Sequence, residues 1–285
     1  MRVEKFPEAG GKVPASEFLI TSGGQAGNAA VAIARLGAKT SYIGALGDLD
    51  DEVANTIIKT FAGEKIDVSR ALRVPGARSS ASLIMIDAAG EKMIATRRNQ
   101  GLHEAVPPNP EAAVAEVDAV MLDNRYANIS LPICLAAKAR GIPRILDFDR
   151  PTPADDPLFM ACSHVICSAD ALREATGIND LPNALLKLGK HYQGFLAVTD
   201  GPAGIYWRAD GKVHHMAAFQ VQAVDTLGAG DAFHGAFAFR LVETGDVVES
   251  MRFAAAAAAI KCTRFGGLVG AATRAEVEEF LRKNG

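Results

Sequence analysis

Short apolar runs alternate with amphipathic segments along most of the chain. Four of these runs are each followed directly by a polar residue, as is typical of buried parallel strands: 117–122, 144–148, 164–167 and 195–199. The segments 131–140 and 183–191 between them carry apolar residues at helical spacing and are predicted helices. The pattern therefore predicts a mostly parallel, doubly wound sheet covered by helices on both faces.

Both ends of the chain show the same alternation. Residues 24–36 have an apolar helical face and are followed by Gly37, which is typical of a helix C-terminus, and 40–45 is a predicted strand. Near the other end, Thr273 and Glu276 form a capping box before a last amphipathic helix.

One segment breaks the α/β alternation. Residues 80–87 and 91–98 are two extended runs around the turn 87–90, which is typical of a hairpin. We predict a three-layer α/β/α sandwich with a small β-sheet lid. It forms a single domain, 1–285, whose lid segments are about 8–22 and 76–98, and no linker or repeat interrupts it.

Composition narrows the function classes. The 285 residues carry a formal net charge of -3, with acidic and basic residues interspersed. The sequence shows no basic face of the kind that nucleic-acid-binding proteins usually carry. The four cysteines form no CxxC pair and no zinc-type spacing, and free thiols are expected. No run is long enough to span a bilayer and the N-terminus lacks a signal-peptide core, which predicts a cytoplasmic protein without membrane partners.

The segment 224–233, VDTLGAGDAF, carries the chemistry. Gly228, Ala229 and Gly230 are small enough to let backbone approach a ligand, and they precede a predicted helix from about 231 to 244. A helix N-terminus with free N–H groups is an anion site. A bound phosphate would repel the Asp231 carboxylate, so its position needs a purpose, and taking a proton from an attacking hydroxyl supplies one. The alternative is a plain turn with Asp231 as a helix cap.

Two common phosphate-binding signatures are absent from the chain. It contains no GxxxxGK[ST] loop, and Phe233 stands where a dinucleotide fingerprint has its third glycine. This argues against P-loop enzymes and against a Rossmann oxidoreductase.

The full segment resembles the C-terminal DTxGAGD signature of the PfkB carbohydrate kinase family. This resemblance implies that Asp231 is the catalytic base and that the amides of residues 228–230 form an anion hole. Residues 23–30, GGQAGNAA, resemble the family's N-terminal sugar-binding motif, which implies sugar contacts from Gly23, Gly24 and Asn28. ATP and Mg²⁺ are the implied cofactors.

The resemblance also implies a nucleotide site. Residues 198–204, VTDGPAG, look like the family's phosphate-side segment, and helix 254–262 with turn 265–267 falls where the family has its adenine pocket. The implied nucleotide-binding residues are Ser168, Thr199, Gly201, Gly204, Thr226, Ala258 and Cys262.

Within the family, residues 233–236 and 259–264 look most similar to the sulfofructose kinase and ketohexokinase-like members. Lys12 and Arg125 match positions that hold a sulfonate there, and Thr96 stands where an Asn is expected. The resemblance implies a small ketose, anionic or neutral. The exposed edge of the lid hairpin favours a homodimer through the lid.

Two departures from the family pattern stand out. The family's opening strand, which ends in a sugar-binding Asp, has no counterpart before residue 7, and we expect an unpaired sheet edge or a groove near 23–28 and 40–45. The family's NxxE motif falls at 168–171 without matching, so magnesium is expected to be held mainly by nucleotide phosphates and water. A non-catalytic sugar- or nucleotide-binding regulator on the same fold is the alternative, which the intact GAGD opposes.

Overall fold

The computed structural model describes residues 1–89 and 91–284, so Gly90 of the predicted hairpin turn lies outside the described residues. The strands are β1 Arg2–Val3, β2 Ala15–Glu17, β3 Ala45–Leu46, β4 Leu72–Arg73, β5 Ala81–Ile86, β6 Lys92–Arg97, β7 Val120–Asp123, β8 Arg144–Phe148, β9 His164–Ser168, β10 Phe195–Thr199, β11 Ile205–Ala209 and β12 Lys212–Met216. The α-helices are α1 Gln25–Leu36, α2 Glu52–Gly63, α3 Pro110–Ala113, α4 Ala127–Ala139, α5 Pro157–Ala161, α6 Ala169–Thr176, α7 Leu181–Leu188, α8 Ala229–Thr244, α9 Val247–Cys262 and α10 Arg274–Asn284.

The main sheet has six strands in the order β12-β11-β10-β9-β8-β7. Strands β7 to β10 are parallel neighbours, and β11 and β12 add an antiparallel edge. The carboxyl ends of the parallel strands therefore meet at one edge of the sheet, where open α/β folds bind ligands.

Helices cover both faces of this sheet because successive strand residues point to opposite sides. On β8, Leu146 and Phe148 pack into a core with α4 to α7, whereas Ile145 packs with α1, α8, α9 and α10. The predicted three-layer α/β/α sandwich is confirmed.

A smaller sheet has the order β2-β1-β5-β6 and contains the predicted hairpin. β5 and β6 pair in antiparallel register from Ala81 opposite Arg97 to Ile86 opposite Lys92. Apolar side chains on this sheet are exposed, with Leu83 at 51% and Ile94 at 52%. The predicted small second sheet is confirmed.

The strand expected at 40–45 is mostly wrong. Only Ala45 and Leu46 pair as a strand, with β4, and Ser41 forms an isolated bridge with Asp67. Apolar spacing shows that a segment is buried, but a regular ladder also needs a regular partner. Here the backbone bonds run to the irregular loop after α2, for example from the Tyr42 amide to the Asp67 carbonyl at 2.8 Å.

The helix predictions were better. The helix expected at 131–140 begins four residues earlier as α4, and the one expected at 183–191 is α7 followed by a 3₁₀ turn, Gly189–His191. The Thr273 backbone amide and hydroxyl both donate to Glu276 at the start of α10, at 2.8 and 2.9 Å, which confirms the capping interaction.

β7 is the last strand of the main sheet and pairs with β8 alone among the described residues. Beside it lies a cavity of about 1530 Å³ whose lining includes 23–28 and 40–45. The expected groove at this edge is therefore confirmed. No helix within the described ranges is long and apolar enough to cross a membrane.

Candidate active site

The N-terminus of α8 lies at the carboxyl edge of the main sheet. Gly228 is the N-cap residue and has a φ of 77°, a left-handed conformation that glycine adopts without strain. No side chain in the described part of the chain caps this helix end. Its first-turn N–H groups are consequently available to an anion, as the sequence predicts.

Asp231 lies in the first turn of α8 and meets Asn28 of α1. The Asn28 side-chain amide donates to Asp231 Oδ2 over 2.5 Å. The two helices approach closely because residue 235 is glycine, since a Cβ there would lie 2.7 Å from the Ala29 carbonyl oxygen. The structure thus brings together two residues 203 positions apart that the sequence assigned to base and sugar site.

The environment of Asp231 changes its acidity. Burial first, and the nearby Asp147 second, raise the pKa of this carboxyl to about 7, whereas the Asn28 hydrogen bond opposes the rise. A base with a pKa near the working pH is ionised yet still holds a proton well, which suits general base catalysis.

This acidity predicts a pH dependence. We expect kcat/KM to fall as pH drops below about 7, because protonated Asp231 cannot accept a proton. Asn28→Ala removes the hydrogen bond that favours the ionised carboxylate, so the midpoint should move to higher pH. The measurement is kcat/KM from pH 5.5 to 9 at constant ionic strength. A flat profile, or a midpoint unmoved by Asn28→Ala, would contradict the assignment.

The sequence reasoning missed three polar residues behind Asp231. Gln25 Nε2 donates to Asp147 Oδ2 at 3.4 Å, and His234 Nε2 lies 3.6 Å from Asp147 Oδ1. Burial first, with Asp149 and Asp123 adding to it, raises the pKa of Asp147 well above its usual value, and burial lowers the pKa of His234. The available signal was a polar residue at the end of a buried strand and another within an apolar helix.

His234 also ties the helix start to the sheet. Its Nδ1 lies 2.7 Å from the Gly230 carbonyl oxygen on α8, and its Nε2 lies 3.2 Å from the Ile166 carbonyl oxygen on β9. The ring therefore fixes the first turn of α8, and with it Asp231, against the central strands.

Arg125 follows β7 and is half-buried. Its guanidinium donates to Gln25 Oε1 at 3.3 Å, and its backbone amide donates to Asp123 Oδ1 at 2.9 Å. The structure brings five of the six predicted sugar-site residues onto the same cavity, namely Gly23, Gly24, Asn28, Thr96 and Arg125. The sixth, Lys12, is exposed and is not among the lining residues.

The predicted nucleotide residues follow the ends of β9 and β10 or lie around α8 and α9. The Thr199 hydroxyl donates to the Cys167 carbonyl oxygen at 3.4 Å, and Ser168 caps α6 by accepting from the Ala171 amide. Gly201 and Gly204 form a turn with positive φ values, where a Cβ on Gly204 would lie 2.1 Å from the Met216 carbonyl oxygen. Gly204 is therefore required by packing, whatever it binds.

The remaining nucleotide residues surround the turn before α8. The Thr226 carbonyl accepts from the Ala229 amide at 3.2 Å, and the Cys262 carbonyl accepts from the Val224 and Asp225 amides at 2.8 and 3.1 Å. Ala258 lies one helical turn before Cys262 and is half-buried.

An uncapped helix N-terminus at the carboxyl edge of a doubly wound sheet, with a carboxylate beside it, supplies the anion site and the base that phosphoryl transfer to a hydroxyl group needs. The sequence model of the pfkB family carbohydrate kinases matches residues 1–274. The chain belongs to this family and is a sugar kinase.

Individual relatives agree with this placement. The chain is 31% identical to a ribokinase of Haemophilus influenzae, over 98% of this chain and 93% of the relative. A crystal structure of a candidate ribokinase from Agrobacterium tumefaciens matches with a TM-score of 0.94 and 40% identity, over 99% of this chain and 93% of that one. The ribokinase of Arabidopsis thaliana, solved with ribose and ATP, matches with a TM-score of 0.84 and 25% identity, over 99% and 94%.

Proposed function

We propose that this sugar kinase transfers the γ-phosphoryl group of MgATP to a primary hydroxyl of a small ketose. The contact between Asp231 and Asn28 at the uncapped end of α8 carries this proposal. Asn28 lines the cavity, and its buried Oδ1 has no hydrogen-bond partner among the described residues. A buried acceptor beside the base suits a sugar hydroxyl, which would satisfy it.

In this mechanism the described residues position and stabilise the reacting groups. Asp231 accepts the proton of the attacking hydroxyl, and Asn28 positions the Asp231 carboxylate and the sugar relative to each other. The amides of 228–230 stabilise the charge that develops on the transferred group. The small sheet with segments 8–22 and 76–98 acts as a lid that excludes water, which limits ATP hydrolysis.

ATP enters the proposal through the family and through the Arabidopsis ribokinase complex. We assign the nucleotide to the ends of β9 and β10 and to the α8–α9 side, with Thr199, Gly201 and Thr226 near the phosphates. Within the described residues no cluster of three His, Cys, Asp or Glu side chains suits a metal ion. We propose that magnesium is held mainly by phosphate oxygens and water, where it would neutralise phosphate charge.

Three arginines of the cavity favour an anionic ketose, although Glu52, Asp123 and four further carboxylate residues also line it. Arg98, Arg125 and Arg150 line it, and in the part of the chain that the structure describes none of them forms an ion pair. A guanidinium can grip a sulfonate or phosphate with two parallel hydrogen bonds. Against this, the similar proteins are named as ribokinases, so ribose belongs in the test.

The experiment measures ADP release with ribose, fructose and sulfofructose. We expect turnover with all three acceptors to depend on Asp231, and kcat/KM to be highest for sulfofructose. Arg125→Ala should lower kcat/KM for sulfofructose, by a factor equivalent to about 2–5 kcal/mol, and leave fructose nearly unchanged, since an anion would lose its charge partner in the closed cleft. Lys12→Ala is the matched variant, which shows whether this exposed cation takes part as well.

The outcomes separate the alternatives. A preference for ribose or fructose that Arg125→Ala leaves intact would refute the anionic substrate and spare the kinase. Sugar or ATP binding without any ADP release would instead favour a non-catalytic regulator.

We also propose a homodimer through the lid. The exposed apolar residues of the small sheet, Leu83, Met93 and Ile94, would be covered by a second copy. Sedimentation as a monomer at micromolar concentration, with and without sugar, would contradict it.

A further inference from the structure

Lys261, on the last turn of α9, is a buried lysine that the proposed mechanism does not use. It is 1% exposed and its ammonium faces three oxygens. Lys261 Nζ donates to the Asp225 carbonyl oxygen at 2.7 Å and to the Arg264 carbonyl oxygen at 3.4 Å. The Asp225 carboxylate is its third partner, with Oδ2 at 3.5 Å.

This arrangement requires the protonated form of the lysine. An ammonium has three donors and no acceptor, whereas a neutral amine would point a lone pair at one of the oxygens. Burial lowers the pKa of Lys261, and Asp225 opposes that effect. Asp225 stays ionised because the amides of Leu227, Gly266 and Gly267 hold its pKa below the usual value despite burial.

The carboxylate that Lys261 neutralises shapes the anion-binding turn. Asp225 Oδ1 accepts from the Leu227 amide at 2.8 Å, next to Gly228. Its Oδ2 accepts from the Gly266 and Gly267 amides at 3.0 and 3.4 Å. Asp225 therefore joins the turn before α8 to the turn after α9, and it can do so in a dry interior only with a counter-charge.

The chain leaves room for the lysine stem at this junction. Residue 270 is glycine, and a Cβ there would lie 3.4 Å from Lys261 Cε and 3.1 Å from Arg264 Cβ. A cage of two carbonyl oxygens and a carboxylate oxygen is also what a small monovalent cation prefers, since oxygen ligands suit hard cations.

We propose that the Lys261 ammonium is a built-in monovalent cation that positions the anion-binding turn 225–228. It is a positioning residue, because it acts through Asp225 and does not touch the substrate. The inference rests on the proposed function in so far as this turn receives the transferred phosphoryl group. It has two consequences: the unaltered enzyme needs no added K⁺ or NH₄⁺, and Lys261→Ala creates a site for such an ion.

The test compares NH₄⁺, K⁺ and tetramethylammonium chlorides at equal ionic strength. The unaltered enzyme should have the same kcat and the same melting temperature in all three salts. Lys261→Ala should lose about 10²-fold in kcat in tetramethylammonium, the scale of a misplaced catalytic group, and should recover much of it in NH₄⁺ or K⁺. Its melting temperature should rise in the same two salts.

Two controls isolate the cage. Lys187 on α7 also donates to a carbonyl oxygen, that of Thr176 at 2.6 Å, and Lys187→Ala should gain no dependence on the cation. Lys261→Met fills the space with an apolar chain and should not be rescued.

Three results would overturn the proposal. They are a requirement of the unaltered enzyme for K⁺ or NH₄⁺, a failure of both ions to restore activity and melting temperature in Lys261→Ala, and equal rescue by tetramethylammonium. The first needs no variant, so it decides even if Lys261→Ala fails to fold. The melting temperatures test the cation site at Lys261 even if the chain phosphorylates none of the sugars tested. Failure of this proposal therefore remains distinguishable from failure of the proposed function.

Discussion

Asp231→Asn should lower kcat by about 10²–10⁴-fold, the usual worth of a positioned general base. The amide keeps the shape of the carboxyl and its place beside Asn28 but cannot accept a proton from the attacking hydroxyl. Nucleotide affinity should stay within about twofold, because the nucleotide contacts that we propose lie at the ends of β9 and β10, in the turn before α8 and on α9. Single-turnover phosphoryl transfer and nucleotide titration measure the two quantities separately.

The same substitution should stabilise the protein at neutral and higher pH. The pKa of Asp231 is about 7 when folded and 3.8 in its ordinary environment, so the folded state binds its proton more tightly. Ionisation of Asp231 therefore lowers the free energy of unfolding. The loss grows as pH rises from about 4 to 7 and reaches its full size above 7. At 1.36 kcal/mol per unit this is on the order of 4 kcal/mol.

Stability and turnover should therefore change in opposite directions. Denaturant unfolding at pH 8 should show Asp231→Asn more stable than the unaltered chain, and the difference should shrink toward pH 4. A loss of kcat below about tenfold would remove Asp231 from the role of base. A loss of both activity and stability would indicate that Asp231 has a structural role in the first turn of α8.

The elements that the sequence predicts well are those decided by local pattern. The bounds of β8 and β10 agree with the prediction, because an apolar run followed by a polar residue is typical of a strand buried on both faces. The helix at 24–36 was predicted to within one residue, since Gly37 takes a φ of 107° and ends it. The strand expected at 40–45 was not, because its partner is an irregular loop.

The residues of the candidate site also differ in how well the sequence predicts them. Asp231 and Gly228 could be predicted because the anion site is built from one continuous segment. The contacts of Asp147 and Lys261 could not, because each depends on where distant elements meet. Asp147 reaches Asp231 through the side of β8 that faces α8, and Lys261 reaches Asp225 across 36 residues. The spacing of residues along one sequence carries no information on which distant elements come into contact.

Gly230→Val should damage turnover much more than stability. A Cβ at residue 230 would meet nothing within 4 Å, so the helix can accept a side chain there without a clash. The added isopropyl group would instead occupy the space in front of the first-turn amides, where we place the transferred phosphoryl group. Loss of such a backbone contact costs about 10²–10³-fold in kcat.

Gly235→Ala on the same helix is the matched control. Its Cβ would lie 2.7 Å from the Ala29 carbonyl oxygen, so α1 and α8 must separate. We expect this variant to lower the melting temperature by several degrees, as an overpacked core does, at about 1–3 kcal/mol. The measurement is kcat beside thermal unfolding for both variants. If Gly230→Val unfolded the protein as readily as Gly235→Ala, residues 228–230 would be a structural turn, because a phosphoryl-binding glycine in open space has no reason to hold the fold together.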